Sequence, residues 1–119
     1  MKTILVVEDE YAIMDALAAL LQDEGYRVLT AAHGKEALEV MSRDKPDVVL
    51  LDLMMPVMDG MTALQAIRAD PQLRDVPVIV MSAASSRLNP ASGASSRILK
   101  PFHVGVLLDE IRKQLKDGA

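Results

Sequence analysis

The sequence predicts an α/β protein, a parallel sheet covered on both faces by helices. Two observations carry this. Short apolar runs alternate with segments of helical apolar spacing along all 119 residues, the pattern of strand–helix–strand crossovers. In addition, each main apolar run is aliphatic and nearly continuous, as strands covered on both faces are.

The elements follow in order. Ile4-Leu5-Val6-Val7 reads as a buried strand that stops at Glu8-Asp9-Glu10. From Tyr11 to Glu24, Ile13, Leu17, Leu20 and Leu21 recur at helical spacing, and Gly25 ends the helix. Arg27 to Ala31 is a second strand, less hydrophobic and so suited to an edge. Gly34 to Arg43 places Ala37, Leu38 and Met41 on one helical face, with Pro46 beyond its end. Asp47 to Leu51 is the third strand, carrying Asp52 to its C-terminal edge. Met61 to Ala69 is a helix closed by Asp70-Pro71, Val76 to Met81 a fourth strand, and Ile98-Leu99 the centre of a short fifth. Val104 to Leu115 closes the chain as a helix with Leu107, Leu108, Ile111 and Leu115 on one face. Between the last two strands, Ala83 to Ser96 is rich in Ser with Asn89-Pro90 and Gly93, and reads as loop with at most a short helix.

Composition narrows the function classes. The length suits one domain, 1–119, with a real core, and no linker divides it. Net charge is −4 and no basic stripe is visible, which argues against direct nucleic-acid binding. No cysteine is present, so disulfides and thiolate metal sites are excluded. No run approaches the ~18 apolar residues of a membrane span, so a cytoplasmic protein without membrane contact is expected. The methionines read as core and loop packing. His33 and His103 read as ordinary surface or loop residues, and Arg112, Lys113 and Lys116 as a solvated helix face.

The polar residues that stand out fall at strand ends. Glu8 and Asp9 follow the first strand, Asp52 the third, Ser82 the fourth and Lys100 the fifth. In an open parallel α/β sheet that edge is where ligands bind. Three clustered carboxylates repel one another and call for a hard cation. Oxygen donors without Cys or His favour Mg²⁺ over Zn²⁺. A carboxylate in such a site is suited to nucleophilic attack on phosphorus, with an amine and a hydroxyl to meet the phosphoryl oxygens. Asp52, Lys100 and Ser82 fit those three demands.

Taken in order, Val6-Val7-Glu8-Asp9-Glu10, Leu50-Leu51-Asp52-Leu53-Met54-Met55-Pro56 with Asp59-Gly60, Met81-Ser82-Ala83 and Leu99-Lys100-Pro101-Phe102 resemble the CheY-like receiver domain of two-component response regulators. The resemblance covers essentially the whole chain. It implies a flavodoxin-like three-layer sandwich with a five-stranded parallel sheet of order 2-1-3-4-5. It implies that Asp52 accepts a phosphoryl group from a phosphohistidine of a histidine kinase or phosphotransfer protein. Glu8, Asp9 and Asp52 would hold Mg²⁺ together with the main-chain carbonyl of Met54. Ser82 would be the switch hydroxyl, and Lys100 would pair with the phosphoryl group and precede a cis bond to Pro101. Such a domain catalyses only its own phosphorylation and dephosphorylation, and switches the binding of a downstream protein or a fused output domain. The small Ala83 leaves room for the phosphoryl group. Met54 and Ala84, where the family tunes phosphoryl loss, cannot hold a water by hydrogen bonding, which implies slow self-dephosphorylation.

Two departures qualify the match. Arg97 stands where the family usually has an aromatic switch residue, and is expected to stay outside and pair with an acid. Eighteen positions separate Ser82 from Lys100, about a helical turn short of the family's spacing. The helix between the fourth and fifth strands, the family's fourth, is therefore expected to be short or irregular. No output domain is expected within 1–119. Two other readings stand beside this one: a pseudo-receiver that only binds partners, and a Mg²⁺-dependent aspartyl-phosphate phosphohydrolase. The latter usually needs a second acid two residues after the nucleophile, where this chain has Met54.

Overall fold

In the computed structural model, residues 1–52, 60–83, 94–100 and 102–117 are described, and the side chains of residues 60, 82, 83, 100, 116 and 117 stand outside that description. Five strands form one parallel sheet: β1 (Thr3–Val7), β2 (Arg27–Ala31), β3 (Val48–Asp52), β4 (Val78–Ala83) and β5 (Ser96–Lys100), in the order β2-β1-β3-β4-β5. Four helices accompany them among the described residues: α1 (Tyr11–Asp23), α2 (Gly34–Arg43), α3 (Gly60–Ala69) and α4 (Val104–Asp117). The expected flavodoxin-like order and layering are found. The expectation of a short or irregular helix between β4 and β5 falls outside the described residues.

Strand alternation sorts the core into two layers. Leu5, Val7, Val49, Leu51, Val78 and Val80 pack with Ala37 and Met41 of α2 and Ala63, Leu64 and Ile67 of α3. Ile4, Val6, Val48, Leu50, Ile79 and Met81 pack with Leu17 and Leu21 of α1 and Leu107, Leu108 and Ile111 of α4. Every side chain of β1 and β3 is buried, which is why both strands read as unbroken aliphatic runs. β2, with a partner on one side only, is half exposed. At about 1.5–3 kcal/mol for each fully buried aliphatic side chain, the two central strands are hard to displace, and so are the residues at their ends.

The boundaries have local causes. α1 ends in a Schellman motif. Gly25 N–H donates to Gln22 O and Tyr26 N–H to Leu21 O at 3.0 and 3.1 Å, with Gly25 at φ 92°. β4 begins at Val78 rather than Val76, because Pro77 has no N–H and Val76 N–H donates to Leu73 O at 3.0 Å in the preceding turn. β5 is longer than its two apolar residues suggest, since Ser96 and Arg97 pair with Ile79 and Val80.

The N-terminal edge of the sheet is closed by complementary groups. Thr3 N–H donates to Asp47 Oδ2 at 2.7 Å, and Asp47 N–H donates to Thr3 O at 2.8 Å. Arg27 donates to Thr3 Oγ1 at 3.3 Å and pairs with Asp44. The Asp44 hydrogen bond and charge raise the Arg27 pKa, and the Arg27 hydrogen bond holds the Asp44 carboxyl below its usual range. Further along, Arg68 of α3 donates to Arg74 O and Val76 O at 2.8 and 2.7 Å and to Ser95 Oγ at 3.2 Å, tying α3 to both neighbouring strand entries.

Candidate functional site

The opposite edge is built by the two central strands. Val7 of β1 and Leu51 of β3 are register partners, so the next residue of each strand, Glu8 and Asp52, emerges side by side. Glu8 is 1% exposed and Asp52 4%, whereas Asp9 is exposed. One carboxylate oxygen from each of Glu8, Asp9 and Asp52 lies within 4.8 Å of the others. Glu8 is fixed at both ends: its N–H donates to Ala31 O at 3.1 Å, and its Oε1 accepts from Glu10 N–H at 3.3 Å.

The three carboxylates repel one another. Two like unit charges about 5 Å apart repel by roughly 3 kcal/mol at an effective dielectric of ~20, and here three acids meet. The donors are all carboxylate oxygens, the chain has no Cys, and neither His lies in the cluster. Close, convergent, hard oxygen donors fit a divalent cation of the Mg²⁺ kind.

The backbone brings two further strand ends to the same edge. Asp52 pairs in register with Met81, Met81 with Ile98, Ser82 with Leu99 and Ala83 with Lys100. Ser82 is thus one residue beyond the level of Asp52, and Lys100 two residues beyond the same level on β5. Where their side chains reach, and where the Met54 carbonyl and the Lys100–Pro101 bond lie, falls outside the described residues. Arg97 is exposed on β5, as expected.

One residue had been assigned too little. His33 is the N-cap of α2: its Nδ1 accepts from Glu36 N–H at 3.1 Å, while Glu36 Oε1 accepts from Ala32 N–H at 3.3 Å. The spacing His33-x-x-Glu36 is that of a capping box with imidazole in place of a hydroxyl, but only the His33 half is made, because Glu36 accepts from Ala32 N–H and not from the N-cap N–H. His103 is exposed. Glu110 of α4 is held below the usual carboxylate range by the Ser96 hydroxyl, then by Gln114, whose Nε2 donates to its Oε1 at 3.2 Å.

A family model of the response regulator receiver domain matches residues 4–112. Among curated proteins, the chain is 41% identical over 113 residues to the response regulator PleD of Caulobacter vibrioides, covering 92% of this chain and 25% of that protein. It is 35% identical over 122 residues to the transcriptional regulatory protein AfsQ1 of Streptomyces coelicolor, covering 99% of this chain and 53% of that one. The chain thus spans a quarter to about half of these relatives' lengths. Among solved structures, the chemotaxis response regulator CheY4 of Vibrio cholerae superposes with a TM-score of 0.88 at 33% identity, covering 96% of this chain and 98% of that one. The response regulator TrrA of Thermotoga maritima, in complex with Mg²⁺–BeF, gives 0.87 at 34% identity, covering 96% and 99%.

Proposed function

The chain belongs to the response regulator receiver domain family, and from that membership we propose that Asp52 is its phosphoryl acceptor. The observation that carries the reading is the convergence of Glu8, Asp9 and the nearly buried Asp52 at the C-terminal ends of β1 and β3. The donor is a phosphohistidine on a histidine kinase or phosphotransfer protein. A carboxylate oxygen of Asp52 attacks phosphorus. A P–O bond forms as the P–N bond to the donor imidazole breaks, and the departing nitrogen takes up a proton from water. The product is an acyl phosphate on Asp52.

Glu8, Asp9 and Asp52, with the Met54 carbonyl, are the groups that would hold Mg²⁺. When bound, the ion supplies positive charge against the phosphoryl oxygens. Burial of Glu8 and Asp52 keeps bulk water from competing for that charge and fixes the attacking oxygen on a strand that cannot shift. The Lys100 amine and the Ser82 hydroxyl are assigned to the phosphoryl oxygens, Lys100 for charge and Ser82 as the group whose movement reports phosphorylation. This is consistent with the place of their strand ends in the register. A family module of this kind is a signalling switch rather than a classical enzyme. The chemistry is self-limited, and the output is altered binding of a downstream protein or a fused output domain. Because Met54 and Ala84 carry no hydrogen-bonding side chain for a water, the phosphoryl group is expected to persist well beyond seconds.

One observation favours a second reading. Arg97 is exposed on β5, where an aromatic would couple phosphorylation to the surface. The chain could then bind partners as a pseudo-receiver with its switch lost. Incubation with a small phosphoryl donor and Mg²⁺, read by intact mass, separates the two. One added phosphoryl group in wild type and none in Asp52→Asn supports the acceptor reading. No addition to wild type sinks it and favours the pseudo-receiver.

A further inference from the structure

Glu8 is held from β2 as well as from its own strand. Its N–H donates to the Ala31 carbonyl, one step beyond the Val7–Ala31 pair that ends the β1–β2 ladder. The other end of that same peptide unit is the Ala32 N–H, which donates to Glu36 Oε1 at 3.3 Å. A trans peptide is rigid and points its C=O and N–H in opposite directions. The 31–32 peptide is therefore clamped between Glu8 on one side and Glu36 on the other. Ala31 is fully buried, so the unit has little room to rock once both hydrogen bonds are made.

The Glu36 bond is more than helix capping. The unsatisfied donors of a helix start are the first N–H groups of the helix itself, and Glu36 N–H, in the first turn of α2, already has His33 Nδ1. Ala32 precedes the N-cap, so the Glu36 carboxylate is directed at the exit of β2 and not at α2. A charged acceptor on the N–H also polarises the peptide and strengthens its carbonyl as an acceptor for Glu8 N–H.

We propose that Glu36 is a positioning residue for Glu8. Acting through the 31–32 peptide, it holds the Glu8 main chain where the Glu8 carboxylate meets Asp9 and Asp52. The proposal rests on the reading of those three acids as a cation site. It places an acid of α2, outside the cluster, in control of the cluster's affinity.

The test is a Mg²⁺ titration followed by NMR, with hydrogen exchange of the Glu8 N–H measured in metal-free buffer. Glu36→Ala weakens Mg²⁺ binding about tenfold, the low end of what loss of a ligand's outer partner costs, and speeds exchange at Glu8. Glu36→Gln keeps an acceptor for Ala32 N–H and recovers most of both. Arg27→Ala, at the far edge of the sheet, controls for general loosening and moves neither. An affinity in Glu36→Ala within about twofold of wild type, far below that loss, overturns the proposal, and so does an equal loss in Arg27→Ala. If Glu36→Ala does not fold, Glu36→Asp decides, since its shorter side chain falls short of Ala32 N–H: weaker Mg²⁺ binding with faster Glu8 exchange supports the proposal, and wild-type values for both sink it. If wild type binds no Mg²⁺, the cation reading fails, and the Glu8 exchange rate alone shows whether Glu36 positions Glu8.

Discussion

The two edges of the sheet treat charge in opposite ways. At the N-terminal edge, Thr3, Arg27, Asp44 and Asp47 join in hydrogen bonds and an ion pair of opposite sign. At the C-terminal edge, Glu8, Asp9 and Asp52 bring three charges of one sign within 4.8 Å. The same two strands, β1 and β3, run into both edges, so strand chemistry alone does not distinguish them. The difference lies in the sign of the charges that each edge gathers. The first is a lock of opposite charges. The second gathers like charges, whose mutual repulsion a bound cation would relieve. Such a crowding of like charges at one edge is the feature on which the proposed cation site rests.

The largest expected effect breaks the C-terminal edge. Asp52→Asn removes phosphoryl incorporation altogether. In metal-free buffer the same change raises stability to urea by about 1 kcal/mol or more, because one of three repelling charges is gone. Wild type, by contrast, gains about 2.7 kcal/mol at a Mg²⁺ concentration one hundred times its dissociation constant. A Mg²⁺ response of equal size in Asp52→Asn would remove Asp52 from the cation site. Next in size is the N-terminal edge. Asp47→Ala leaves the buried Thr3 N–H without its acceptor and costs about 1–3 kcal/mol of unfolding free energy, with the Mg²⁺ gain unchanged. Should that gain fall too, the two edges are not independent.

How far the sequence predicted this contrast depends on the kind of signal. β1 and β3 were legible because burial on both faces leaves an aliphatic run with a sharp polar end, and parallel pairing of neighbours then brings those ends together. The cluster of Glu8, Asp9 and Asp52 followed directly. The lock at the other edge was not legible. Arg27, Asp44 and Asp47 are common surface types, and only the register of β1 with β2 and β3 brings them to Thr3. Glu110 and Ser96 were missed for the same reason, being far apart in sequence and near only after α4 packs. His33 was legible in principle, three residues before Glu36, but its imidazole concealed a cap usually made by a hydroxyl or carboxylate.

Smaller effects sharpen the comparison. Gly25→Ala forces a side chain into the left-handed region at φ 92° and costs about 1–2 kcal/mol, with no effect at either edge. Acid titration probes the environment of Glu110. The Glu110 pKa is lowered in the fold from its ordinary 4.5. Its contribution to stability is therefore complete above about pH 4.5 and is lost as pH falls through the lower folded value. Glu110→Gln flattens the urea midpoint over that window, and an unchanged pH profile would show that Glu110 contributes nothing there. The smallest effect belongs to Arg27→Ala, which opens an exposed ion pair and should shift stability slightly, less so at high salt.

The crowded edge is proposed to take a phosphoryl group on one carboxylate, that of Asp52. Peptide mapping by mass spectrometry, after treatment with a small phosphoryl donor in Mg²⁺ or in chelator, tests it most directly. One phosphoryl group is expected, carried on the peptide containing Asp52, and absent in chelator. A phosphoryl group on another residue, or equal incorporation with the cation removed, would contradict it.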